Sequence, residues 1–384
     1  MIKSVYAHFI PFTILFLLLA FVNVHPQKRV RDLNIKIGIL NPGKFNAITD
    51  VKGVLVGHRT VIKDDDIRTG VTVILPHSGN IFQDKVKGAV YVANGFGKLI
   101  GSTQIEELGV IETPIALTAT LNVFNVANAL IDYTLTQKGN ANLGSINPVV
   151  GETNDGYLNN IQKRSVTAEH VFEALQKADS GFVLEGSVGA GTGTTCFGFK
   201  GGIGTSSRIL PESRGNYTVG VLVQTNFGGI FEINGVPVGR ELGKYYMKDE
   251  FSPDGSCMIV VATDAALSNR NLKRLAKRAI LGLAKTGGFC SNGSGDYVIA
   301  FSTHPACRVS HRSLKTTLQI EELRNSQMSP LFLAVVEATQ EAIHNSMFMA
   351  TDVSGFKMHQ IQKLPVDEVV KIYKNYRKNH VTQN

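Results

Sequence analysis

The segment Asp254-Gly255-Ser256-Cys257 places a serine immediately before a long apolar run. Because Gly255 is the least hindered residue that can precede it, the Ser256 hydroxyl can attack its own upstream carbonyl. Hydrolysis of the resulting ester leaves Ser256 as a new N-terminus, whose α-amine has a reference pKa of about 7.7–8.0 and can act as a general base. Nucleophile and base then belong to one residue, and no histidine is needed. Taken alone, these four residues are more often an ordinary Asp-Gly turn leading into a strand.

A second polar segment, residues 291–296, also lies directly before an apolar run. Ser294 and Asp296 are two residues apart at the edge of a predicted strand, so their side chains can share one face. A hydroxyl backed by a carboxylate can orient the amine of a nucleophile and relay protons. A glycine turn with a solvated aspartate is the alternative and, without other evidence, the commoner arrangement.

A third segment, residues 186–195, is rich in glycine and threonine. It invites comparison with a phosphate-binding loop, but the lysine that follows the last glycine in such loops is absent. We therefore predict a tight loop that lines a pocket with backbone N–H groups, and no nucleotide.

Four further side chains have types suited to a catalytic site. Asn226 follows a predicted strand and can donate a hydrogen bond to a developing oxyanion. Glu152, Asp155 and Tyr157, within GETNDGY, offer two anions and a phenol to an ammonium group of a substrate. A surface turn is the default interpretation of the NDG triplet.

The elements that must position these residues read as a layered α/β protein. Residues 257–263 and 297–302 are near-continuous apolar runs, as expected of strands covered on both faces. Asn269 is predicted to start a helix that ends at Gly287-Gly288, and Ser329-Pro330 is predicted to start another. Thr103 has capping-box spacing with Glu106. Other predicted strands cover residues 51–57, 71–75, 88–93, 114–120 and 219–225. No linker divides the chain, so we predict one domain, residues 25–384.

The N-terminus has a different composition from the rest. Lys3 is followed by an almost wholly apolar run over residues 9–22, which is shorter than the roughly 20 residues of a membrane span. This pattern predicts a signal peptide over residues 1–24 and a secreted or periplasmic protein. An uncleaved membrane anchor is the alternative; beyond this segment we expect no membrane association.

The charge distribution argues against a nucleic-acid partner, and the spacing of the cysteines and histidines argues against a metal ion. The chain carries a formal net charge of +8, but its basic clusters lie at the two ends and are not interleaved with aromatic residues, so we predict no nucleic-acid partner. The four cysteines match no zinc spacing, and no histidine pair has the spacing of a metal site. We predict neither a metal nor another cofactor, and the pairing of the cysteines stays open.

Taken together, the segments resemble the family of L-aminopeptidase D-Ala-esterase/amidases and β-peptidyl aminopeptidases, which are self-processing N-terminal serine hydrolases. They occur in the family's order over nearly all of residues 33–376. The matching stretches are ITDVKGVLVGH (48–58), NGFGKLIGSTQIEELGVIETPIALT (94–118), VVGETNDGYLN (149–159), GSVGAGTGTTCFGFKGGIGTSSR (186–208), VGVLVQTNFG (219–228), GSCMIVVATDA (255–265), NGSGDYVIAFST (292–303) and SPLFLAVVEAT (329–339).

The resemblance implies a four-layer αββα sandwich and a precursor that cleaves itself between Gly255 and Ser256. The products would be residues 25–255 and residues 256–384, which stay together. Higher oligomers of this processed heterodimer are also implied.

The resemblance also assigns roles to individual residues. Ser256 matches the nucleophile, Ser294 and Asp296 the supporting serine and acidic residue, Asn226 the oxyanion-hole asparagine, and Tyr157 the active-site tyrosine. Glu152 lies in the segment that meets the amino group of the substrate. Some relatives carry glutamate at the position of Asp296, which is one methylene shorter.

The expected function is that of a serine aminopeptidase or amidase. It would remove N-terminal amino acids from small peptides, amides or esters through an acyl-enzyme on Ser256, without a cofactor. Two alternatives stay open: an amidase of the pantetheine-hydrolase type on the same fold, and a secreted binding protein that has lost activity.

Overall fold

The computed structural model describes residues 27–248 and 254–381, apart from residues 314 and 318. The predicted signal peptide, residues 1–24, lies outside the described residues. The strands are β1 (Leu55–Lys63), β2 (Ile67–Leu75), β3 (Asp84–Gly95), β4 (Leu99–Ile100), β5 (Val110–Ile111), β6 (Ile115–Ala119), β7 (Val149–Thr153), β8 (Thr195–Cys196), β9 (Phe199–Lys200), β10 (Gly202–Ile209), β11 (Thr218–Asn226), β12 (Ser256–Thr263), β13 (Gly295–Ser302), β14 (Val309–Ser310), β15 (Val353–Ser354) and β16 (Gln360–Ile361). The helices are α1 (Ser102–Leu108), α2 (Val123–Thr136), α3 (Ala168–Gln176), α4 (Val238–Glu241), α5 (Asn269–Ala284), α6 (Met328–Phe348) and α7 (Val366–Val381).

The larger strands form two mixed sheets. One has the order β1-β2-β6-β7-β4, and the other has the order β10-β11-β12-β13-β3-β14, with β5 paired to β3. In the second sheet β12 pairs antiparallel with β11 and parallel with β13. The two predicted apolar strands are therefore neighbours at the centre of this sheet.

Both faces of β12 are covered, as its composition predicts. Met258 and Val260 belong to the apolar cluster between the two sheets, whereas Ile259 and Val261 belong to the cluster shared with α5 and α6. Successive side chains of a strand point to opposite faces, so a near-continuous apolar sequence is what this position requires. The sheets approach closely: a Cβ added at Gly151 in β7 would lie 2.2 Å from Met258 Cε.

The layers follow from three apolar clusters. One fills the space between the two sheets, the second joins the larger sheet to α5 and α6, and the third joins the smaller sheet to α2 and α3. This arrangement confirms the four-layer αββα sandwich.

Two local predictions need correction. The N-cap of α1 is Gly101, with a φ of 87°, and Thr103 lies inside the helix rather than capping it. Strand β1 begins at Leu55 rather than residue 51, because residues 51–54 follow a 3-10 turn and continue in a second turn, in which the Val54 N–H donates to the Val51 carbonyl at 3.1 Å. The helices at Asn269 and Ser329-Pro330 occur within one residue of their predicted starts.

A buried ion-pair group ties α6 to β10. The guanidinium of Arg208 is fully buried and donates to Glu341 Oε2 at 2.7 Å and to Glu337 Oε2 at 3.1 Å. Removing one partner of a buried pair leaves an uncompensated charge, which typically costs about 3–5 kcal/mol.

We therefore expect Glu341→Gln to lower the free energy of unfolding by about 3–5 kcal/mol in denaturant titrations. The matched control is Glu173→Gln, which removes a half-exposed carboxylate paired with Arg59 and Lys177. It should cost less than about 1 kcal/mol. Equal effects of the two substitutions would contradict this account.

Candidate active site

The Ser256 hydroxyl, the Asn226 side chain and the Gly295 N–H lie close together, where β11 ends and where β12 and β13 begin. In the sheet register Ser256 lies opposite Asn226 on β11 and opposite Gly295 on β13. The Gly295 N–H donates to Ser256 Oγ at 3.1 Å. Ser256 and Asn226 are 6% and 8% exposed, so both residues are almost fully buried.

The residue before Ser256 must be glycine. Gly255 has a φ of 150°, which L side chains rarely adopt, and a Cβ there would lie 1.9 Å from the carbonyl oxygen of Asn226. The glycine therefore lets the chain pass directly over the end of β11 before β12 begins. The requirement comes from backbone packing, independently of any chemistry at Ser256.

The amide of Asn226 has a fixed orientation. Its Oδ1 accepts a hydrogen bond from the backbone N–H of Thr195 at 3.0 Å. Because a backbone N–H can only donate, the acceptor must be the amide oxygen, and the Nδ2 group is left to donate elsewhere. Asn226 thus presents a donor beside Ser256.

The glycine-rich segment supplies this contact. Lys200, paired with Thr195 in the β8–β9 hairpin, is fully buried, and its Nζ donates to the carbonyls of Gly191 at 2.8 Å and Gly201 at 2.9 Å. Burial lowers the pKa of Lys200 to about 7, opposed by the nearby Asp155 carboxyl. The contact that this segment makes with Asn226 is the single backbone N–H of Thr195, which orients the amide.

Ser294 and Asp296 contact each other, as their spacing predicts. Ser294 Oγ donates to Asp296 Oδ2 at 2.6 Å, immediately beside the Gly295 N–H that contacts Ser256. Burial raises the pKa of Asp296, while hydrogen bonds from Ser294 and Cys290 lower it. The Cys290 contact has no counterpart in the sequence pattern.

Glu152 lies on β7 of the other sheet and contacts the loop that follows β3. This loop in turn contacts Ser294. Its Oε1 accepts the backbone N–H of Lys98 at 2.9 Å, and Lys98 Nζ lies 3.7 Å from the same oxygen. A Cβ at Gly97 would lie 3.1 Å from Glu152 Oε1 and 3.2 Å from the ring of Tyr297. Phe96, one residue earlier, donates its N–H to the Ser294 carbonyl at 3.2 Å.

The other two candidates in GETNDGY behave differently. Tyr157 is 50% exposed, and its ring stacks on His359 with the centroids 4.2 Å apart. Among the described residues no hydrogen bond joins Tyr157 to Ser256, Ser294 or Asp296. Asp155 is buried, accepts from Asn159 Nδ2 at 2.9 Å, and has its pKa raised by burial to about 6. Asp155 is therefore part of the interior.

The remaining chemistry-bearing groups are the thiols and the side chains that could bind a metal ion. All four cysteines are free thiols, and burial raises the pKa of Cys257 well above its usual value. Over the described parts of the chain, His, Cys, Asp and Glu form no group of three that could hold a metal ion. None of the helices in those parts combines the length and apolar character of a membrane span.

Comparison with known proteins places this chain in a family. Residues 46–361 match the model of peptidase family S58. The chain is 39% identical over 373 residues to the beta-peptidyl aminopeptidase BapA of Sphingosinicella microcystinivorans, covering 91% of this chain and 93% of that protein.

Two solved structures are also similar. The beta-aminopeptidase of a Burkholderia species superposes with a TM-score of 0.84 at 39% identity, covering 91% of this chain and 99% of that chain. The L-aminopeptidase D-Ala-esterase/amidase of Ochrobactrum anthropi, described as a variant of the Ntn hydrolase fold, superposes with a TM-score of 0.83 at 35% identity, covering 91% and 98%. The chain therefore belongs to peptidase family S58, as a serine aminopeptidase with an Ntn-type fold.

Proposed function

We propose that this aminopeptidase cuts itself between Gly255 and Ser256 and then uses Ser256 as an N-terminal nucleophile. The observation that carries the proposal is the position of Ser256. Its hydroxyl lies beside the Gly295 N–H, Asn226 is its register partner, and Gly255 precedes it without room for a side chain.

Self-cleavage requires no second protein. Ser256 Oγ attacks the carbonyl carbon of Gly255, the C–N bond breaks, and the hydroxyl proton passes to the departing nitrogen. Water then hydrolyses the ester, which leaves a carboxylate on Gly255 and a free α-amine on Ser256. The products are residues 25–255 and 256–384.

Turnover repeats this chemistry on a substrate. Ser256 Oγ attacks the scissile carbonyl while the α-amine of the same residue accepts its proton. Asn226 Nδ2 donates to the oxyanion, where a preorganised donor is worth about 10²–10³ in kcat. The α-amine returns the proton to the leaving group, and water releases the acyl-enzyme. In this proposal the hydrogen-bonded pair of Ser294 and Asp296 orients the α-amine, and Tyr157 lines the substrate site.

The substrate is proposed to be a small peptide or amino-acid amide with a free amino group. The named relatives are aminopeptidases. Glu152 is a buried carboxylate that accepts the N–H of Lys98, two residues after Phe96, whose own N–H donates to the Ser294 carbonyl. A buried carboxylate is a strong partner for an ammonium group. We assign amine recognition to Glu152.

The decisive measurement compares amino-acid p-nitroanilides, including a β-amino acid, with their N-acetylated forms. We expect N-acetylation to lower kcat/KM by about 10²-fold or more, because it removes the charge that Glu152 recognises and leaves the carboxylate unpaired by substrate. Equal kcat/KM values for free and acetylated forms would overturn the aminopeptidase assignment at this site. Activity on pantetheine with indifference to acetylation would favour the pantetheine-hydrolase type.

Export and assembly are two further parts of the proposal. Residues 1–24 would act as a signal peptide that sends the protein to the periplasm or the extracellular space, as their composition indicates. Processed heterodimers would associate into a homo-oligomer. The mass of the larger fragment isolated from its host, and light scattering of the purified protein, test these two statements; a fragment that retains residue 1, or a lone heterodimer, would contradict them.

A further inference from the structure

The carboxylate assigned to amine recognition already has a cation beside it. Lys98 Nζ lies 3.7 Å from Glu152 Oε1, and the backbone N–H of the same lysine donates to that oxygen at 2.9 Å. Lys98 Nζ also donates to Thr120 Oγ1 at 2.7 Å. Lys98 therefore approaches Glu152 through two different groups, its backbone N–H and its ammonium.

The two partners differ in their freedom to move. The Glu152 side chain is 4% exposed and is held within the strand β7, whereas the Lys98 side chain is 41% exposed and ends in solvent-accessible space. At 3.7 Å the ammonium is beyond hydrogen-bond distance of the carboxylate, and its close contact is with Thr120. The Lys98 ammonium is therefore held mainly through Thr120, and its departure would still leave the backbone N–H of Lys98 on the carboxylate.

Burial makes some counter-charge necessary. Burial raises the pKa of Glu152, while the charge and the backbone N–H of Lys98 lower it, with smaller contributions from the side chains of Thr120 and Lys98. A second titratable group near this carboxylate is the Tyr297 phenol, whose pKa is raised by burial, by Glu152 and by Asp296. Among the described residues Lys98 is the cation that forms an ion pair with Glu152.

We propose that Lys98 is the counter-ion of Glu152 in the empty site and that the ammonium group of the substrate displaces it. Lys98 then sets the affinity for a free amine, because each binding event must replace one ion pair by another. This inference rests on the proposed function of Glu152. It makes Lys98 a specificity-determining residue that takes no part in bond making.

The test measures competitive inhibition by 3-aminopropan-1-ol, which carries the amine but has no carbonyl to hydrolyse, with propan-1-ol as the uncharged control. The proteins are wild type, Lys98→Met, Lys98→Arg and Lys177→Met, each brought to the same cleavage state as judged by intact mass. Lys177→Met removes an equal charge from an exposed pair with Glu173. Lys98→Gln replaces the methionine variant if that variant does not fold.

At pH 9 we expect Lys98→Met to lower the inhibition constant of the amino alcohol about fivefold, as for loss of one part-exposed ion pair. Inhibition by propan-1-ol and all Lys177→Met values should stay unchanged, and Lys98→Arg should resemble wild type. The gain should disappear as the pH falls, because without Lys98 the pKa of Glu152 is higher and its carboxylate protonates sooner.

An inhibition constant that is unchanged or increased in Lys98→Met at pH 9 would overturn the inference while leaving amine recognition intact. The same decrease in Lys177→Met would overturn it too, because net charge would then be the cause. If wild type binds the amino alcohol no better than propan-1-ol, amine recognition itself fails, and the inference falls with it.

Discussion

Ser256→Ala is expected to accumulate as a single uncut chain and to lose hydrolysis of amino-acid p-nitroanilides by at least on the order of 10⁵-fold. The change removes the hydroxyl that attacks Gly255, so the α-amine that would serve as base is never released. Loss of a serine nucleophile in another protease costs about 10⁶ in kcat, and here the base is lost as well. Intact-mass measurement and the p-nitroanilide assay give both readouts.

The control for this prediction is Ser310→Ala, which removes an exposed hydroxyl from β14. It should be cut at residue 255 and fully active. A second variant, Ser256→Thr, keeps a hydroxyl and should be cut slowly. The mechanism is wrong if wild type is active while uncut, or if the alanine variant is cut at the same bond.

Asn226→Asp is expected to lower kcat by about 10²–10³ with little change in KM. The substitution keeps an oxygen that can accept the Thr195 N–H and replaces the Nδ2 donor by a carboxylate oxygen, which cannot donate to an oxyanion. A contact made mainly in the transition state changes kcat and kcat/KM together. Steady-state kinetics on the processed fraction, which is expected to form more slowly, provide the measurement.

Asn216→Asp is the matched control, because it makes the same change just before the opposite end of β11. Its kcat should equal that of wild type. A kcat for Asn226→Asp within threefold of wild type would remove Asn226 from the oxyanion role. A rise in KM at constant kcat would indicate substrate binding instead.

The central strands and the polar residues at their ends were predictable from the sequence. The near-continuous apolar sequences of β12 and β13 are typical of buried strands. The polar residues Ser256, Ser294 and Asp296 lie at the beginning of these sequences. Once the order of the strands in the sheet is known, residues at neighbouring strand ends must lie close together, and no further knowledge of the fold is needed to predict this. The contact of Ser294 with Asp296 is confirmed, while the catalytic roles stay predictions.

Strand β10 shows why other elements escaped prediction. Its sequence, GIGTSSRI, lacks a regular apolar pattern, and yet seven of its eight residues are buried. A Cβ at Gly204 would lie 1.9 Å from the Ala342 carbonyl of α6, so the helix packs directly on the strand backbone. The buried polar groups are satisfied by partners distant in sequence; Thr205 Oγ1, for example, donates to the Val221 carbonyl.

The lysines of the site were missed for a related reason. Lysine is usually exposed, and nothing near Lys200 or Lys98 in the sequence marks either one as buried or paired. Lys200 is buried because the carbonyls of Gly191 and Gly201 converge on it, and Lys98 is paired because β7 brings Glu152 beside it. Both arrangements depend on the folded backbone.

The strand order of the larger sheet governs what becomes of the two pieces after a cut at residue 255. The strands of the two pieces would alternate across the sheet. Starting from one edge, β10 and β11 would belong to the first piece, β12 and β13 to the second, and β3 to the first again. Neither piece could leave without breaking the backbone ladders on both sides of the β12–β13 pair. Dilution should therefore not separate them, and once unfolded, each piece would lack the neighbours against which its strands register.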